Sequence, residues 1–414
     1  MPGHLLRVVT AGSVDDGKST LVGRLLHDAK VVLGDQLAAV HRDSARRGHA
    51  NADLALLVDG LRAEREQGIT IDVAYRYFAT GRRSFVLADT PGHVQYTRNM
   101  VTGASTADVA VILVDARTGV IEQTRRHLAV AALLAVPELV LAVNKMDLVD
   151  YAEPVFDRIV ADFAAVAGKL GLTRFTPIPL VALTGENVVD RAPAMPWYAG
   201  PSLLGCLEQF QPAAAGSTPA RFPVQLVIRP QTAEHRDYRG YGGRIDAGVL
   251  RPGDPVRVLP SGLSSTVLAI DGAGQALAEA GARRSVTVRL VDELDIARGD
   301  VIVADVEPQP VVRRELTADV CWLTDRSTQA GDRYRLRHGT RDVLAVVAEV
   351  VDRLDLDTVT RTPAERLGLN DIGLVRLRLA EPVVADSYAQ NRSTGSFLLV
   401  AADSGATAAA GMIR

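Results

Sequence analysis

The residues best able to do chemistry in this chain stand together at Gly12 to Thr20, GSVDDGKST. The spacing G-x-x-x-x-G-K-S/T builds a loop whose backbone N–H groups surround phosphates, with a lysine for the β- and γ-phosphates and a hydroxyl for magnesium. Lys18 and Ser19 take those two roles, Gly12, Ser13, Val14, Asp15, Asp16 and Gly17 form the loop, and Thr20 follows it. Lysine is scarce, four residues (Lys18, Lys30, Lys145, Lys169) against forty-two arginines, so a lysine between Gly17 and Ser19 is no accident of composition. A nucleoside triphosphate is the expected ligand.

Two further clusters bear on the metal and the base. Asp89-Thr90-Pro91-Gly92-His93 follows the apolar run FVLA, where an acidic residue can hold magnesium through water and the Gly92 N–H can bond a γ-phosphate. Asn144-Lys145-Met146-Asp147 follows the run LVLAV. A carboxylate at Asp147 accepts both N1–H and N2–H of guanine, whereas adenine has an unprotonated N1 and would leave buried acceptors unpaired. Standing alone, NKMD would read as a strand-to-turn cap. In this order, after runs that suit one sheet, it reads guanine, which makes GTP with Mg2+ the expected pair. Lys30 and Lys169 read as solvated helix residues.

These clusters need a sheet to hold them. From Leu5 to about Phe210 the apolar runs LLRVVTAG, FVLADT, VAVILVDA, LVLAVNKMD and PIPLVAL alternate with helix-length segments, the pattern of buried strands in a mostly parallel sheet. QPAAAGSTPARF, 211 to 222, reads as a linker. Beyond it PVQLVIRP, GYGGRIDAG, PVRVLPSG, SVTVRLVD and ARGDVIVAD are short strands separated by turns such as RPGD, the mark of a small β-barrel. VEPQPVVRRE, 306 to 315, reads as a second linker. ADVCWL, DRYRLRHG, DVLAVVAEVV, IGLVRLRLAEPVV and GSFLLVAA then indicate a second barrel, and SGATAAAGMIR a final weak strand or frayed end. The expected fold is multi-domain, α/β then β: a P-loop domain over 1–212 followed by β-barrel domains over 218–308 and 314–414.

Composition removes several classes. Cys206 and Cys321 stand alone, so neither a disulfide framework nor a zinc site is implied. The longest apolar stretch, Leu128 to Val143, is interrupted by Pro137 and Glu138 and reads as a helix then a strand rather than a membrane span. No signal peptide is legible in MPGHLLRVVTAG, and a cytoplasmic protein is expected. The net charge of −3 carries no basic tail, and the arginines are interleaved with acids, so nucleic acid is not an expected partner.

The chain resembles the translation-factor class of GTPases, with an elongation factor Tu-like layout, and within it the GTPase subunits of heterodimeric ATP sulfurylases. The segments that carry the closer resemblance are GSVDDGKST, where translation factors usually have His at the positions of Ser13 and Asp16, and DLALLVDGLRAEREQGITIDVAYRYF at 53 to 78. DTPGHVQYTRNMVTGAS, MPWYAGPSLL, RFPVQLVIRP, RGYGGRI and DELDIARGDVI extend it over essentially the whole chain. The resemblance implies that Thr70 binds magnesium and the γ-phosphate in the GTP state. It implies that His93 orients the attacking water, with Val14 and Ile69 as apolar restraints. His4, His27, His41, His49, His127, His235 and His338 read as structural or surface residues. One departure stands out: the last guanine motif is usually Ser-Ala-Leu, and here it is Val181-Ala182-Leu183. The Ala182 N–H can still meet guanine O6, while loss of the serine hydroxyl is expected to lower GTP affinity.

For function the resemblance implies a GTP-hydrolysing subunit of sulfate adenylyltransferase, with adenylyl sulfate and pyrophosphate made from ATP and sulfate on a small catalytic partner subunit of ATP pyrophosphatase type, in a heterodimer or higher assembly. No S-G-G-x-D-S pyrophosphatase loop occurs in this chain, and no lysine follows Lys169, so no second P-loop and no fused adenylyl-sulfate kinase is expected. The rival reading is an elongation-factor-like GTPase that delivers aminoacyl-tRNA. A third, a GTP-binding scaffold without catalysis, requires His93 to be inert.

Overall fold

In this computed structural model the described residues are 5–29, 54, 73–91, 97–211, 218–230 and 238–414. The chain divides into two compact units, Met1–Pro212 with Asp355–Thr360, and Ala213–Leu354 with Arg361–Arg414.

The first unit is built on a six-stranded sheet. Its elements in chain order are β1 (Leu6–Ala11), α1 (Lys18–Asp28), β2 (Ala74–Ala79), β3 (Ser84–Asp89), α2 (Thr97–Ser105), β4 (Val109–Asp115), α3 (Glu122–Leu133), β5 (Glu138–Asn144), α4 (Glu153–Lys169), β6 (Thr176–Pro179) and α5 (Leu203–Gln209). The strand order is β2-β3-β1-β4-β5-β6. All neighbours are parallel except β2 and β3, which are antiparallel. Every residue of β4 is buried, because helices cover both faces of a parallel sheet and its strands become continuous apolar runs. The apolar runs of the sequence locate β1, β3, β4, β5 and β6, but not β2. That strand, AYRYFA, lies at the sheet edge with Tyr75 and Tyr77 exposed, so its alternation never forms an apolar block.

The helices follow the same logic. α4 carries a proline in its first turn, where no intrahelical N–H is lost, and buries Phe156, Ile159, Phe163 and Ala167 at helical spacing. The stretch Leu128 to Val143 resolves into the end of α3 and the buried β5, as its proline indicated.

The second unit holds two barrels. Strands Pro255–Leu259, Val301–Ala304, Arg221–Ile228, Gly240–Arg244, Ser285–Leu290 and Leu263–Gly272 pair in that order, and the first also pairs with the last, which closes the barrel. Phe222, Tyr241, Val258, Ile270 and Ile302 fill it. A side chain at Gly243 would meet the Pro223 carbonyl oxygen at 2.5 Å and the Phe222 ring at 2.9 Å, which explains a glycine inside that strand. The other barrel runs Arg333–His338, Ser396–Val400, Thr407–Ile413, Val311–Trp322, Ile372–Ala385 and Arg341–Asp355, again closed by its first and last strands. Trp322, Leu336, Val347, Leu377 and Phe397 form its core. The barrels meet through Leu259, Val301, Val303 and Val384, and through the buried pair Arg221–Asp386 at 3.2 Å.

Three sequence readings are corrected here. Arg221 and Phe222, read as linker, begin a strand, and so does Val311 within the expected second linker. Both are polar or proline-flanked starts whose pairing lies far away in sequence. Leu263–Gly272 is a full strand of the barrel that the turn-bounded runs passed over. Of the two readings of the closing segment the strand holds and the frayed end does not: Thr407–Ile413 sits between two strands of the barrel and is buried after its first residue.

Candidate functional site

Parallel register brings the chemistry to one edge of the sheet. Thr10 of β1 lies beside Asp89 of β3, and Asp115 of β4 beside Asn144 of β5. All four are at the carboxyl ends of their strands, the edge at which open α/β sheets bind ligands.

At the phosphate end the loop leaves β1 and re-enters structure as α1. Asp15 (φ 68°) and Gly17 (φ 90°) take left-handed conformations, and a Cβ at Gly17 would lie 2.4 Å from the Asn144 amide nitrogen. Glycine is needed there on both counts. Lys18 opens α1 and is buried, its Nζ donating to the carbonyls of Gly12 (2.9 Å) and Ser13 (2.7 Å). Burial lowers the Lys18 pKa against the opposing fields of Asp89, Asp16 and Asp15. Asp16 is buried too and its pKa is raised by desolvation, although it accepts the Ser13 N–H. Asp89 is fully buried and accepts the Thr10 hydroxyl at 2.9 Å, while the Thr90 hydroxyl donates to the Thr10 carbonyl. Ser19 and Thr20 lie half-buried in the first turn of α1, with Val14 half-buried in the loop.

At the base end Asn144 uses both ends of its amide within the chain. Its Nδ2 donates to the Asp16 carbonyl at 2.7 Å, and its Oδ1 accepts the Ala182 N–H at 2.9 Å. The N–H expected to face guanine O6 is thus directed at Asn144, and Leu183, whose side chain is exposed, supplies the next N–H of the same loop. Lys145 (φ 64°) bonds the Asp15 carbonyl and the Asp115 carboxylate, the latter at 2.9 Å. Asp147 carries a buried oxygen, Oδ1, with no hydrogen-bond partner among the described residues. A buried acceptor left so costs about 1–3 kcal/mol, and ligand N–H donors of the kind guanine offers remove that cost.

Several participants have no signature in the motifs. Burial would raise the Asp115 carboxyl, but hydrogen bonds from Arg117 and Lys145 outweigh it and hold the carboxyl well below the usual carboxylate range. Asn187 (φ 56°) is buried, donates to the Pro179 carbonyl and accepts the Ala192 N–H, fixing the chain just beyond Ala182 and Leu183. His127 on α3 is buried, with Gln123 Nε2 3.1 Å from its Nε2. Burial, aided by the positive charges of Lys18 and Arg126, holds its pKa down at about 3, so this residue is neutral. His338 is buried as well, its ring nitrogens each 2.9 Å from a backbone oxygen, of Ser396 and of Val384. Ile69, Thr70, Gly92 and His93 lie outside the described residues.

Sequence comparison agrees with this geometry. The family description "Elongation factor Tu GTP binding domain" matches residues 4–226, and "GTP-eEF1A C-terminal domain-like" matches 315–414. The bifunctional enzyme CysN/CysC of Mycobacterium tuberculosis is 53% identical over 412 residues, 99% of this chain and 67% of its own length. Sulfate adenylyltransferase subunit 1 of Laribacter hongkongensis is 50% identical over 413 residues, 99% of this chain and 85% of its own. Among solved structures, Sup35 complexed with GMPPNP covers 100% of this chain and 94% of its own at 25% identity, with a TM-score of 0.44. No helix among the described residues is long and apolar enough to cross a membrane. With a phosphate loop, a guanine-type acceptor on the same sheet edge and full-length identity of this order, the chain belongs to the sulfate adenylyltransferase subunit 1 family of elongation factor Tu-type GTP-binding proteins.

Proposed function

We propose that this chain hydrolyses GTP as one subunit of a sulfate adenylyltransferase, and that hydrolysis drives adenylyl sulfate and pyrophosphate formation from ATP and sulfate on a small catalytic partner of ATP pyrophosphatase type. Half-identity to subunit 1 relatives along the whole chain supports the sulfate assignment. The observation that carries the guanine assignment is Asp147 Oδ1, a buried acceptor with no partner among the described residues, just beyond the carboxyl end of β5. In this reading 1–212 is the hydrolysing domain, and 218–308 and 314–414 are the two barrel domains.

Ser19, Thr70 and Asp89 would hold magnesium, which supplies charge neutralisation between the β- and γ-phosphates. Lys18 exchanges its two loop carbonyls for β- and γ-phosphate oxygens, and the N–H groups of the loop beyond Ser13 surround the phosphates. Gly92 N–H bonds the γ-phosphate. His93 orients the attacking water through its imidazole, with Val14 and Ile69 restraining it. Asn144, Lys145 and Asp147 hold the base, and the Ala182–Leu183 loop reads O6.

The test is coexpression with the small subunit and measurement of adenylyl sulfate formation with and without GTP. Stoichiometric copurification and GTP-stimulated synthesis are expected. GTP-dependent binding of aminoacyl-tRNA without any such synthesis would replace this reading with the elongation-factor one, which the eEF1A-like match of 315–414 keeps in view. For the water-orienting role, His93→Ala should retain GTP binding and lose roughly a hundredfold in turnover. An unchanged turnover number removes His93 from the mechanism and leaves the scaffold reading.

A further inference from the structure

The guanine-facing loop lacks the serine hydroxyl usual in its class, and the structure shows a different residue gripping it. Val181 is an apolar, buried side chain with only backbone bonds to offer. Arg24 reaches the loop from α1, the helix that Lys18 opens. Its Nε donates to the Ala182 carbonyl at 3.4 Å and its Nη2 to the Leu183 carbonyl. The third nitrogen, Nη1, lies 3.5 Å from Asp28 Oδ1, one helical turn further on, which orients the guanidinium. An arginine fork suits this task, since its donors are fixed in one plane and can engage successive acceptors together.

Two independent features fit the grip. Gly185 takes φ 100°, and a Cβ there would lie 3.4 Å from Arg24 Cδ, so the loop turns closely over the arginine stem. One peptide earlier, Asn144 Oδ1 accepts the Ala182 N–H. Residue Ala182 is thus held at its N–H by the base-binding strand and at its C=O, which shares a peptide with the Leu183 N–H, by the phosphate-binding helix. Arg24 lies six residues beyond Lys18, about 9 Å along the helix axis, so one rigid element spans from the phosphates to the loop at the base.

We propose that Arg24 is a positioning residue for base recognition: by clamping the Ala182 and Leu183 carbonyls it fixes the peptide whose Leu183 N–H faces the arriving guanine O6, in place of the absent serine. The proposal rests on the guanine reading of this site. Its consequence is selective. Loss of Arg24 weakens recognition of O6 and leaves the grip on phosphates and on the N1–H and N2–H edge intact.

The experiment compares two nucleotides by equilibrium titration on the full chain: GTP, and 2-aminopurine ribonucleoside triphosphate, which keeps the N2 amino group and the triphosphate but has neither O6 nor N1–H. Wild type should prefer GTP. Arg24→Ala should bind GTP about tenfold more weakly and the O6-less analogue as wild type does, so that its preference narrows about tenfold while the share due to N1–H on Asp147 remains. Val181→Ser added to Arg24→Ala should recover part of that loss. Should Arg24→Ala fail to fold, Arg24→Lys, which cannot reach both carbonyls, takes its place with an intermediate loss of preference. If wild type shows no preference for GTP over the analogue, the guanine reading itself fails. A normal wild-type preference that survives undiminished in both Arg24 variants overturns the clamp alone, as does an equal loss on both nucleotides.

Discussion

The two ends of the nucleotide site treat charge in opposite ways, though they share one sheet edge. At the phosphate end burial dominates: it lowers Lys18, raises Asp16 and lowers His127, moving each toward its neutral form. At the base end hydrogen bonds dominate, and Arg117 with Lys145 keeps Asp115 ionised despite its burial. A buried charge is tolerated where its partner is built in and is penalised where it is not. On the proposed reading the phosphate end is completed by an incoming polyanion, while the base end is assembled in advance from Asp115, Lys145, Asn144 and Arg24. Binding strength would then belong to the first and discrimination to the second.

The strongest test of that division is Asp147→Asn. An amide at this position offers a donor where guanine needs an acceptor, and suits the C2 oxygen of xanthine. Preference should swing from GTP to xanthosine triphosphate by roughly a hundredfold or more. Turnover at saturating xanthosine triphosphate should stay near the wild-type value, because nothing at the phosphate end has changed. A retained preference for GTP would take base reading away from Asp147.

Asp115→Asn gives a smaller and sharper result. The amide keeps the size of the carboxylate but loses the ion pairs with Arg117 and Lys145. GTP and GDP affinities should fall together, by about fivefold, since among the residues assigned to the nucleotide only Lys145 is loosened and the γ-phosphate is untouched. Lys145→Met in that background should then cost less than it does in wild type. Additive losses would show that Asp115 and Lys145 act separately and that the base end is not one network.

How far the sequence alone reached follows the same division. Lys18, Ser19, Asp89, Asn144 and Asp147 are legible because each sits in a contiguous motif at the end of an apolar run. Asp115 ends such a run too, VAVILVD, but only the β4–β5 register sets it beside Asn144. Arg24 reads as an ordinary i,i+4 partner of Asp28 on a helix surface; its contact with Ala182 spans 158 residues of sequence. The edge strand β2 was hidden by its Tyr and Arg content, since an edge strand need not bury both faces. The α/β-then-barrels order was legible from period and turn spacing, whereas Arg221 and Val311 as strand starts depend on partners far along the chain. His127 and His338 were read as structural or surface histidines, and burial depth is not written in a single residue.

The least visible prediction concerns His127, and it probes the phosphate end without touching its ligands. Its folded pKa, about 3, lies below the unfolded value of 6.5. Between those values the unfolded chain binds the proton and the folded chain does not, so this histidine makes stability rise with pH in that window. Its full contribution is present above pH 6.5 and is lost as pH falls, by up to about 1.4 kcal/mol per pH unit. Replacing it by glutamine should flatten the decline of the unfolding midpoint between pH 6.5 and 4, with little change near pH 8 beyond a constant packing cost. Parallel curves for the two proteins would mean that His127 takes up its proton in the folded state. A second cation would then sit in the field of Lys18, and the claim that the phosphate end keeps its cations few by burial would fail.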